Sequence, residues 1–318
     1  MLQKFKNKIG KIIKYPDTPI GAILTLHRID SIDTSHLWYN EHLKISANTL
    51  DNFIKEARQK GCTFISLDEL FYILSKNKRS KKLICITLDD GYRDNYTNGL
   101  PLFESLNVPF CIYLTGNVPE NKMFYWWYLI EDIILENNII NLSNGTSINC
   151  QTKEEKENAF LTIRSTIIRS RQGDLIQFMK KLFYCNDIDP LKYNKQIGLD
   201  WEQVKELSTN ALATIGNHTT SHLSFNGCSN STIYNDILKT QSLVKERTGL
   251  VMKHFSFPFG DAEAVSPKHL ELLREMDFTT VATTIDDSVR YKTSPQLLPR
   301  KFITEKNIHK VFSEIIYA

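Results

Sequence analysis

Short apolar runs alternate with amphipathic stretches along most of the chain. Each apolar run has the length of a strand, and each amphipathic stretch carries apolar residues at helical spacing. The predicted strands are 21–26, 62–66, 83–89, 109–115, 211–215, 253–257 and 279–282. The predicted helices are 49–61, one that starts at Leu67, 99–106, 232–247 and 267–276. This alternation indicates a parallel sheet covered by helices, and seven or eight such units suggest a barrel.

The segment from about 118 to 200 interrupts this alternation. It predicts three helices, at 124–137, 153–171 and 175–184, and follows a barrel strand. We interpret it as a helical insertion within one domain, on the active-site side of the barrel. Its aromatic cluster at 124–128 has two interpretations. The rings stack on sugars, or, as we expect for most of them, they pack the insertion onto the barrel.

Acidic and imidazole side chains follow two of the predicted strands. Asp89 and Asp90 end one apolar run, and Gly91 supplies the tight turn after them. His218 and His222 follow a later run, at a spacing that places both imidazoles on one face of a helical turn. Two imidazoles and one carboxylate, with one position open for water, describe a catalytic zinc-type site. Each motif alone is more often a plain turn or a surface pair, but their co-occurrence favours the metal site.

These residues resemble the motifs of the polysaccharide deacetylases of the NodB-homology type. Residues 87–91 are similar to that family's Thr-Phe-Asp-Asp-Gly, with Leu88 in place of Phe. Residues 215–222 resemble its His-[Ser/Thr]-x-x-His block, and 255–260 resemble its Pro-aromatic-Gly block. Residues 24–28 and 298–300 further resemble a branch that acts in surface-polysaccharide pathways.

The resemblance covers about residues 20–305, with 118–200 outside the compact family core. It implies an α/β fold, a distorted (β/α)₇ TIM-like barrel with a helical insertion. In this interpretation the barrel spans 19–318 and follows a basic amphipathic segment at 1–18.

The family's pattern also implies roles for individual residues. Asp90, His218 and His222 would bind a divalent metal, with zinc as the default and cobalt, nickel, manganese or iron as alternatives. Asp89 would be the general base for the attacking water. The backbone N–H of Phe259 would help to hold the oxyanion.

The chain departs from the family at two places. In many members an arginine two residues before the proline of the third block steadies the base, which is Asp89 here, but this chain has Ser256 at that position. Arg300 is our candidate replacement, the alternative being a surface cation in a loop. The late Leu-x-His motif that supplies the general acid is missing. We therefore expect His27, at the end of the first strand, to protonate the leaving amine or to bind substrate. His254 is expected to be structural, His269 and His309 are poorly placed, and His36 and His42 stay open.

Composition narrows the class of protein. The 318 residues are 42% hydrophobic and 24% charged with a net charge of +3, which is ordinary for a globular protein and gives no reason to expect nucleic acid. Six cysteines are scattered without a Cys-x-x-Cys pair, and no secretion signal is recognisable. We therefore expect a cytoplasmic protein with reduced thiols.

A basic amphipathic helix is predicted over residues 1–15. Its apolar residues fall on one side, and Lys4, Lys8 and Lys11 share the other. Such a helix either lies on the inner face of an anionic membrane or packs on the body of the protein.

The sequence thus predicts a metal-dependent hydrolase that removes an N-acetyl group from an amino sugar in a surface-polysaccharide or glycan pathway. The missing secretion signal favours a lipid-linked or nucleotide-linked intermediate as substrate. Two alternatives stay open. One is deacylation of another small N-acyl or O-acetyl compound, and the other is a catalytically lapsed carbohydrate-binding protein. The oligomeric state is not predicted.

Overall fold

A computed structural model describes residues 18–316, apart from 77, 79, 170–173, 227 and 261–264. The amphipathic helix predicted over residues 1–15 lies outside the described residues. Within the described part of the chain, every helix is too short or too polar to cross a membrane.

Nine strands of the described chain form one curved sheet, and four more form two small sheets. The strands are β1 (Pro19–Leu26), β2 (Arg28–Ile29), β3 (Lys44–Ile45), β4 (Thr63–Phe64), β5 (Leu83–Asp90), β6 (Phe110–Leu114), β7 (Ile139–Asn141), β8 (Ser147–Asn149), β9 (Ala213–Asn217), β10 (His254–Ser256), β11 (Thr280–Ala282), β12 (Val289–Arg290) and β13 (Lys301–Phe302). The main sheet runs β11-β10-β9-β6-β5-β1, and all of these neighbours are parallel.

Residues 298–303 close this sheet into a distorted barrel because they bond to both of its outer strands. Leu298 donates its N–H to the Val281 carbonyl of β11 at 2.8 Å. A few residues later β13 pairs in parallel with β1, with Leu24 opposite Lys301. The predicted distorted barrel is confirmed, and residues 298–303 supply its closing strand, which the apolar pattern did not predict.

Helices pack against the strands through shared apolar clusters. They are α1 (Trp38–Glu41), α2 (Ala47–Gln59), α3 (Leu67–Ser75), α4 (Leu100–Leu106), α5 (Trp126–Glu136), α6 (Lys153–Arg169), α7 (Leu175–Leu182), α8 (Asn194–Ile197), α9 (Trp201–Thr209), α10 (Asn230–Thr248), α11 (Pro267–Arg274) and α12 (Ile308–Ile316). Their starts follow local chemistry. For α3, the Ser66 side chain accepts from the Glu69 N–H, and Glu69 reciprocates. A π-helical turn, Asn95–Gly99, precedes α4.

Strand β5 divides the core into two layers. Its eight residues are all buried, and successive side chains point to opposite faces. Ile84 and Ile86 join the apolar cluster beneath the helices. Cys85 joins a separate cluster with Cys111 and Tyr113, which we assign to the barrel interior. The same alternation directs Asp89 into the interior.

The segment 118–200 contains the helices α5 to α8 and a hairpin of β7 and β8. The hairpin was not predicted because its strands have only three residues each, too few for a recognisable alternation. Buried residues of α5 and α6 belong to the same apolar cluster as those of the barrel helices. The segment therefore packs as part of the main body.

Candidate metal centre

The carboxyl ends of β5 and β9 meet across β6, which lies between them. Leu114 of β6 pairs with Asp90 on one side and with Asn217 on the other. The His218 N–H then donates to the Leu114 carbonyl at 3.0 Å. Two motifs that are far apart in sequence are therefore fixed at the same edge of the sheet by ordinary strand pairing.

The side chains of Asp90, His218 and His222 converge on one point. Asp90 Oδ1 lies 3.4 Å from His218 Nε2 and 3.2 Å from His222 Nε2. The three candidate ligand atoms lie within 4.8 Å of one another. Burial raises the pKa of Asp90, but His222 and His218 outweigh burial and hold that pKa well below its usual value.

This donor set fits a divalent cation. Asp90 Oδ1 is buried and makes no hydrogen bond, which is costly for a carboxylate unless a cation satisfies it. His218 Nδ1 lies 2.8 Å from the Ser256 carbonyl oxygen, so Nδ1 carries the proton and Nε2 presents its lone pair. One carboxylate and two imidazoles are the ligands that zinc and similar metals accept.

The two histidines are not in a helical turn, and that prediction was wrong. Residues 218–222 form a loop in which Thr219 and His222 have φ angles of 65° and 53°. The Asn217 side chain accepts from the Thr219 N–H at 2.8 Å, and Asp236 accepts from the Thr220 N–H at 2.9 Å. These side-chain bonds to the backbone compete successfully with helix formation.

Backbone strain is concentrated around the centre. Asp90 and Phe259 also have left-handed φ angles, of 76° and 63°. Each non-glycine residue in such a conformation costs on the order of 1–3 kcal/mol and persists where surrounding contacts enforce it. Gly91, with a φ of 88°, continues the turn after Asp90 at lower cost. Two of the three candidate ligands, Asp90 and His222, are thus held in strained backbone conformations.

Arg300 lies inside the barrel and forms a bidentate ion pair with Asp89. Its Nη1 and Nη2 donate to Asp89 Oδ1 and Oδ2, both at 2.7 Å. Its remaining N–H groups donate to Thr87 Oγ1 at 3.1 Å, Ser256 Oγ at 2.7 Å and the Thr283 carbonyl at 2.8 Å. Every guanidinium N–H donor is thus used. The structure brings Arg300 to the carboxylate that the sequence had paired it with.

The pair has an electrostatic consequence. Burial raises the pKa of Asp89, but Arg300 and, after it, His218 lower that pKa by more, so it lies below its usual value. Asp89 is therefore ionised at neutral pH although only 3% of its surface is exposed. Arg300 also packs over the Tyr113 ring, with 5.4 Å between the guanidinium carbon and the ring centroid.

A cavity of about 470 Å³ opens above these residues. His27 lies in its wall together with Asp89, Asp90, Phe259 and Arg300. Burial lowers the pKa of His27, and Asp90 and Asp89 oppose this shift only in part. His27 Nδ1 is buried without a hydrogen-bond partner. The seven residues predicted for the site all line this one cavity, with His218 and His222 at its metal end.

Phe259 stands beside the metal-ligand candidates. Its ring meets His222 edge-to-face, with 4.9 Å between the centroids. Its carbonyl accepts from the Thr284 hydroxyl at 3.0 Å.

Another part of the cavity wall comes from residues that the sequence did not single out. Tyr39 and Asn40 reach it from α1, and Phe160 and Arg164 from α6. The Tyr39 and Phe160 rings stack, with 5.7 Å between centroids and 4° between planes. No local pattern marks these residues because their position depends on how the insertion packs.

Glu131 of α5 positions this wall. Its carboxylate accepts from the Leu37 N–H and from Asn40 Nδ2, the latter at 2.6 Å. The aromatic cluster of the insertion is buried, with Tyr125 2% and Trp126 4% exposed. Packing is therefore the main role of the cluster, although Trp126 and its neighbour also line the cavity.

The remaining histidines lie elsewhere, with one exception. His42 lines the cavity near His27, and burial lowers its pKa. His254 is buried at the start of β10, with Nδ1 2.8 Å from Thr280 Oγ1. His269 is buried against Phe225 with 5.3 Å between ring centroids, and His309 is exposed on α12.

Comparisons with known proteins agree with this geometry. The sequence model of the family described as Polysaccharide deacetylase matches residues 76–281, more than half of the chain. No curated protein matches the sequence.

Among solved structures, IcaB from Ammonifex degensii is 17% identical and has a TM-score of 0.61, with 95% of this chain and 99% of that chain covered. The Streptococcus pyogenes deacetylase PplD is 13% identical with a TM-score of 0.62, over 94% and 99%. A de-N-acetylase from Aggregatibacter actinomycetemcomitans is 14% identical with a TM-score of 0.58, over 92% and 99%. At these low sequence identities, the structural similarity shows that the chains share a fold.

Proposed function

The chain belongs to the polysaccharide deacetylase family, and we propose that it is a metal-dependent hydrolase that removes the N-acetyl group from an amino sugar of a glycan. The observation that carries this proposal is the arrangement of two adjacent carboxylates. Asp90 meets two imidazoles at a point that fits a cation, while Asp89 is held ionised beside it by Arg300. A site for a cation and a separate base are what amide hydrolysis requires.

Asp90, His218 and His222 would hold the metal, and zinc is the first ion to test. A divalent metal in such a site lowers the pKa of water and polarises an acyl oxygen as a Lewis acid. Asp89 then has a single task, to accept the proton that the attacking water gives up. Arg300 holds both oxygens of that carboxylate in a fixed plane, so the carboxylate keeps one orientation in the wall of the cavity.

The other groups act on the amide itself. Attack of water on the carbonyl carbon places negative charge on the acyl oxygen, and we assign the Phe259 N–H as a donor to it. Breaking the C–N bond requires a proton on the leaving nitrogen, and His27 supplies it. Burial lowers the pKa of His27, so the imidazole is mostly neutral at neutral pH and first takes up from solvent the proton that it donates. Once protonated, it is a correspondingly stronger acid toward that nitrogen. The products are acetate and a free amino sugar.

The cavity supports a sugar as substrate. Its aromatic side chains offer flat apolar faces for the C–H faces of a pyranose, and its volume lies within the range of ligand sites. The deacetylase PplD from Streptococcus pyogenes was solved in complex with acetate, the acyl product of the reaction proposed here.

The test is release of acetate from N-acetylated amino sugars, as free sugars, oligomers, nucleotide sugars and lipid-linked glycans. We expect turnover of at least one class with zinc-loaded enzyme, loss of turnover after a chelator, and recovery when a divalent metal is added. Stoichiometric metal without acetate release from any class would contradict the proposal and favour a carbohydrate-binding protein.

A further inference from the structure

The cavity above the metal centre has a guanidinium group at its mouth. Arg164 follows Phe160 by one turn on α6, and both side chains line the cavity. Phe160 is only 2% exposed, whereas Arg164 is exposed. Because exposure rises along this turn, Phe160 belongs to the inner wall and Arg164 to the mouth. Leu161, which is 38% exposed, adds an apolar side chain to the lining beside them.

A row of rings leads along the cavity wall from the proposed proton donor. His27 meets Phe302 edge-to-face with 5.6 Å between ring centroids, and Phe302 meets His42 in the same way at 5.8 Å. All three side chains line the cavity. Burial is the largest cause of the lowered pKa of His42, and the charges of His27 and Arg164 act in the same direction. Arg164 is therefore close enough to the His42 end of the row to act on it electrostatically.

The carboxylates of the cavity wall belong to the metal centre. In the described part of the chain, the acidic residues that line the cavity are Asp89 and Asp90. Asp89 accepts two hydrogen bonds from Arg300, and Asp90 is one of the three candidate metal ligands. The negative charge of the wall is therefore used in the chemistry, and the charge that the wall contributes at the mouth is the guanidinium of Arg164.

A second cation lies near the same mouth. Lys306 Nζ is 3.4 Å from the centroid of the Trp38 ring, and the Trp38 and His42 rings are 6.0 Å apart. The Glu157 carboxylate accepts from the Trp38 N–H at 2.7 Å, and neither Glu157 nor Lys306 lines the cavity. Lys306 therefore adds attraction for an approaching anion without a direct contact in the cavity.

We propose that Arg164 binds a phosphate group carried by the acetylated sugar, so that the substrate is a phosphorylated N-acetyl sugar. The inference rests on the proposed function and deepens it. A guanidinium group offers parallel N–H donors that match the oxygens of a phosphate. The acetyl group then lies at the metal centre and the phosphate at the mouth, where Leu161 faces the carrier beyond the phosphate. Two carriers have this chemistry, a nucleoside diphosphate and a polyprenyl diphosphate.

The experiment measures acetate release from N-acetylglucosamine, its 1-phosphate, its uridine diphosphate ester and its polyprenyl diphosphate ester. The zinc-loaded wild type is compared with Arg164→Gln and with Lys153→Gln, which removes an exposed charge from the same helix outside the cavity. We expect the wild type to prefer the phosphorylated sugars, and Arg164→Gln to lower the ratio of their kcat/KM to that of the free sugar about tenfold. Lys153→Gln should keep the wild-type ratio. The ester with the higher kcat/KM identifies the carrier.

A binding measurement separates this inference from the proposed function. Calorimetry with zinc-loaded Asp89→Asn protein reports the affinity for N-acetylglucosamine 1-phosphate without turnover, with and without Arg164→Gln. Affinity that falls about tenfold with Arg164→Gln supports the phosphate site even if no acetate is ever released. A phosphate that binds the metal instead would have equal affinity in both backgrounds and would overturn the inference. Equal kcat/KM of the wild type for the free and the phosphorylated sugars would overturn it as well.

Discussion

The rim of the barrel and the helical insertion build the same cavity from different kinds of contact. At the rim, polar side chains form hydrogen bonds over short distances, and the Arg300 side chain alone makes five hydrogen bonds to four residues. In the insertion, aromatic rings and the buried carboxylate of Glu131 determine the shape of another part of the wall. In the proposed function, the rim would perform the chemistry and the insertion would control access of the substrate. Changes at the rim are expected to abolish turnover of every substrate, and changes in the insertion to depend on the substrate.

Asp89→Asn gives the largest expected effect. The amide cannot accept the proton of the attacking water, so we expect kcat to fall by about a thousandfold or more. Asp90, His218 and His222 are unchanged, so zinc content by mass spectrometry should match the wild type. Asp187→Asn, at an exposed position, is the matched control. Activity of Asp89→Asn within tenfold of the wild type would show that another group is the base.

His27→Ala tests the proton donor at the same rim. We expect kcat to fall by about a hundredfold, within the usual contribution of a general acid, with zinc content and fold unchanged. His42→Ala, in the same cavity, is the comparison. An unchanged kcat in His27→Ala together with a large loss in His42→Ala would transfer the role to His42.

Arg300→Met tests the guanidinium group that is paired with the proposed base, Asp89. Removing one partner of a buried ion pair leaves the other charge uncompensated, so we expect the free energy of unfolding to fall by about 3–5 kcal/mol. Urea unfolding of the metal-free wild type and variant measures this difference in the free energy of unfolding. Arg274→Met, at an exposed position on α11, is the control.

The pH dependence of this variant has a definite sign. Burial raises the pKa of Asp89 and Arg300 lowers it by more, below the value of about 3.9 in an unfolded chain. In the wild type, the pair therefore contributes stability that is present above about pH 4 and is lost as the pH falls through the folded pKa. Without Arg300, burial raises the pKa, so ionisation of Asp89 destabilises the variant. The difference in the free energy of unfolding between the wild type and Arg300→Met should therefore grow from acid to neutral pH. A difference that is independent of pH would contradict this account.

Glu131→Gln tests the role of the insertion in the same comparison with the rim, and it has the smallest expected effect on activity. Its new amide group faces the Asn40 amide, so the wall carrying Asn40 loosens while the rim is untouched. We expect KM to rise severalfold with kcat nearly unchanged, and stability to fall by about 1–3 kcal/mol. Glu136→Gln, exposed on the same helix, is the control. A loss confined to kcat would instead tie Glu131 to the chemistry.

The contrast between the rim and the insertion also explains which parts of the fold and of the site could be predicted from the sequence. Strand ends at Asp90 and His218 were predictable because parallel strands bring their carboxyl ends to one edge. The position of Arg300 was suggested by its motif, yet its bond to Ser256 could not be, since it depends on closure of the barrel by residues 298–303. The roles of these residues stay predictions until the variants are measured.

Two features lay beyond the sequence. The loop at 218–222 was predicted as a helical turn, because spacing alone does not reveal that Asn217 and Asp236 bond to its backbone. The cavity wall at Tyr39 and Phe160 was not predicted at all, because stacking between distant elements leaves no periodic signal. Tertiary contacts determined both.

Metal stoichiometry tests the central claim most directly. Native mass spectrometry of the zinc-loaded wild type, His222→Ala and His309→Ala measures the number of ions bound to each chain. We predict one ion for the wild type and for His309→Ala, whose imidazole is exposed and does not line the cavity, and none for His222→Ala. An ion retained in His222→Ala with wild-type affinity, or a wild type that binds none, would contradict the convergence of Asp90, His218 and His222 on a single cation.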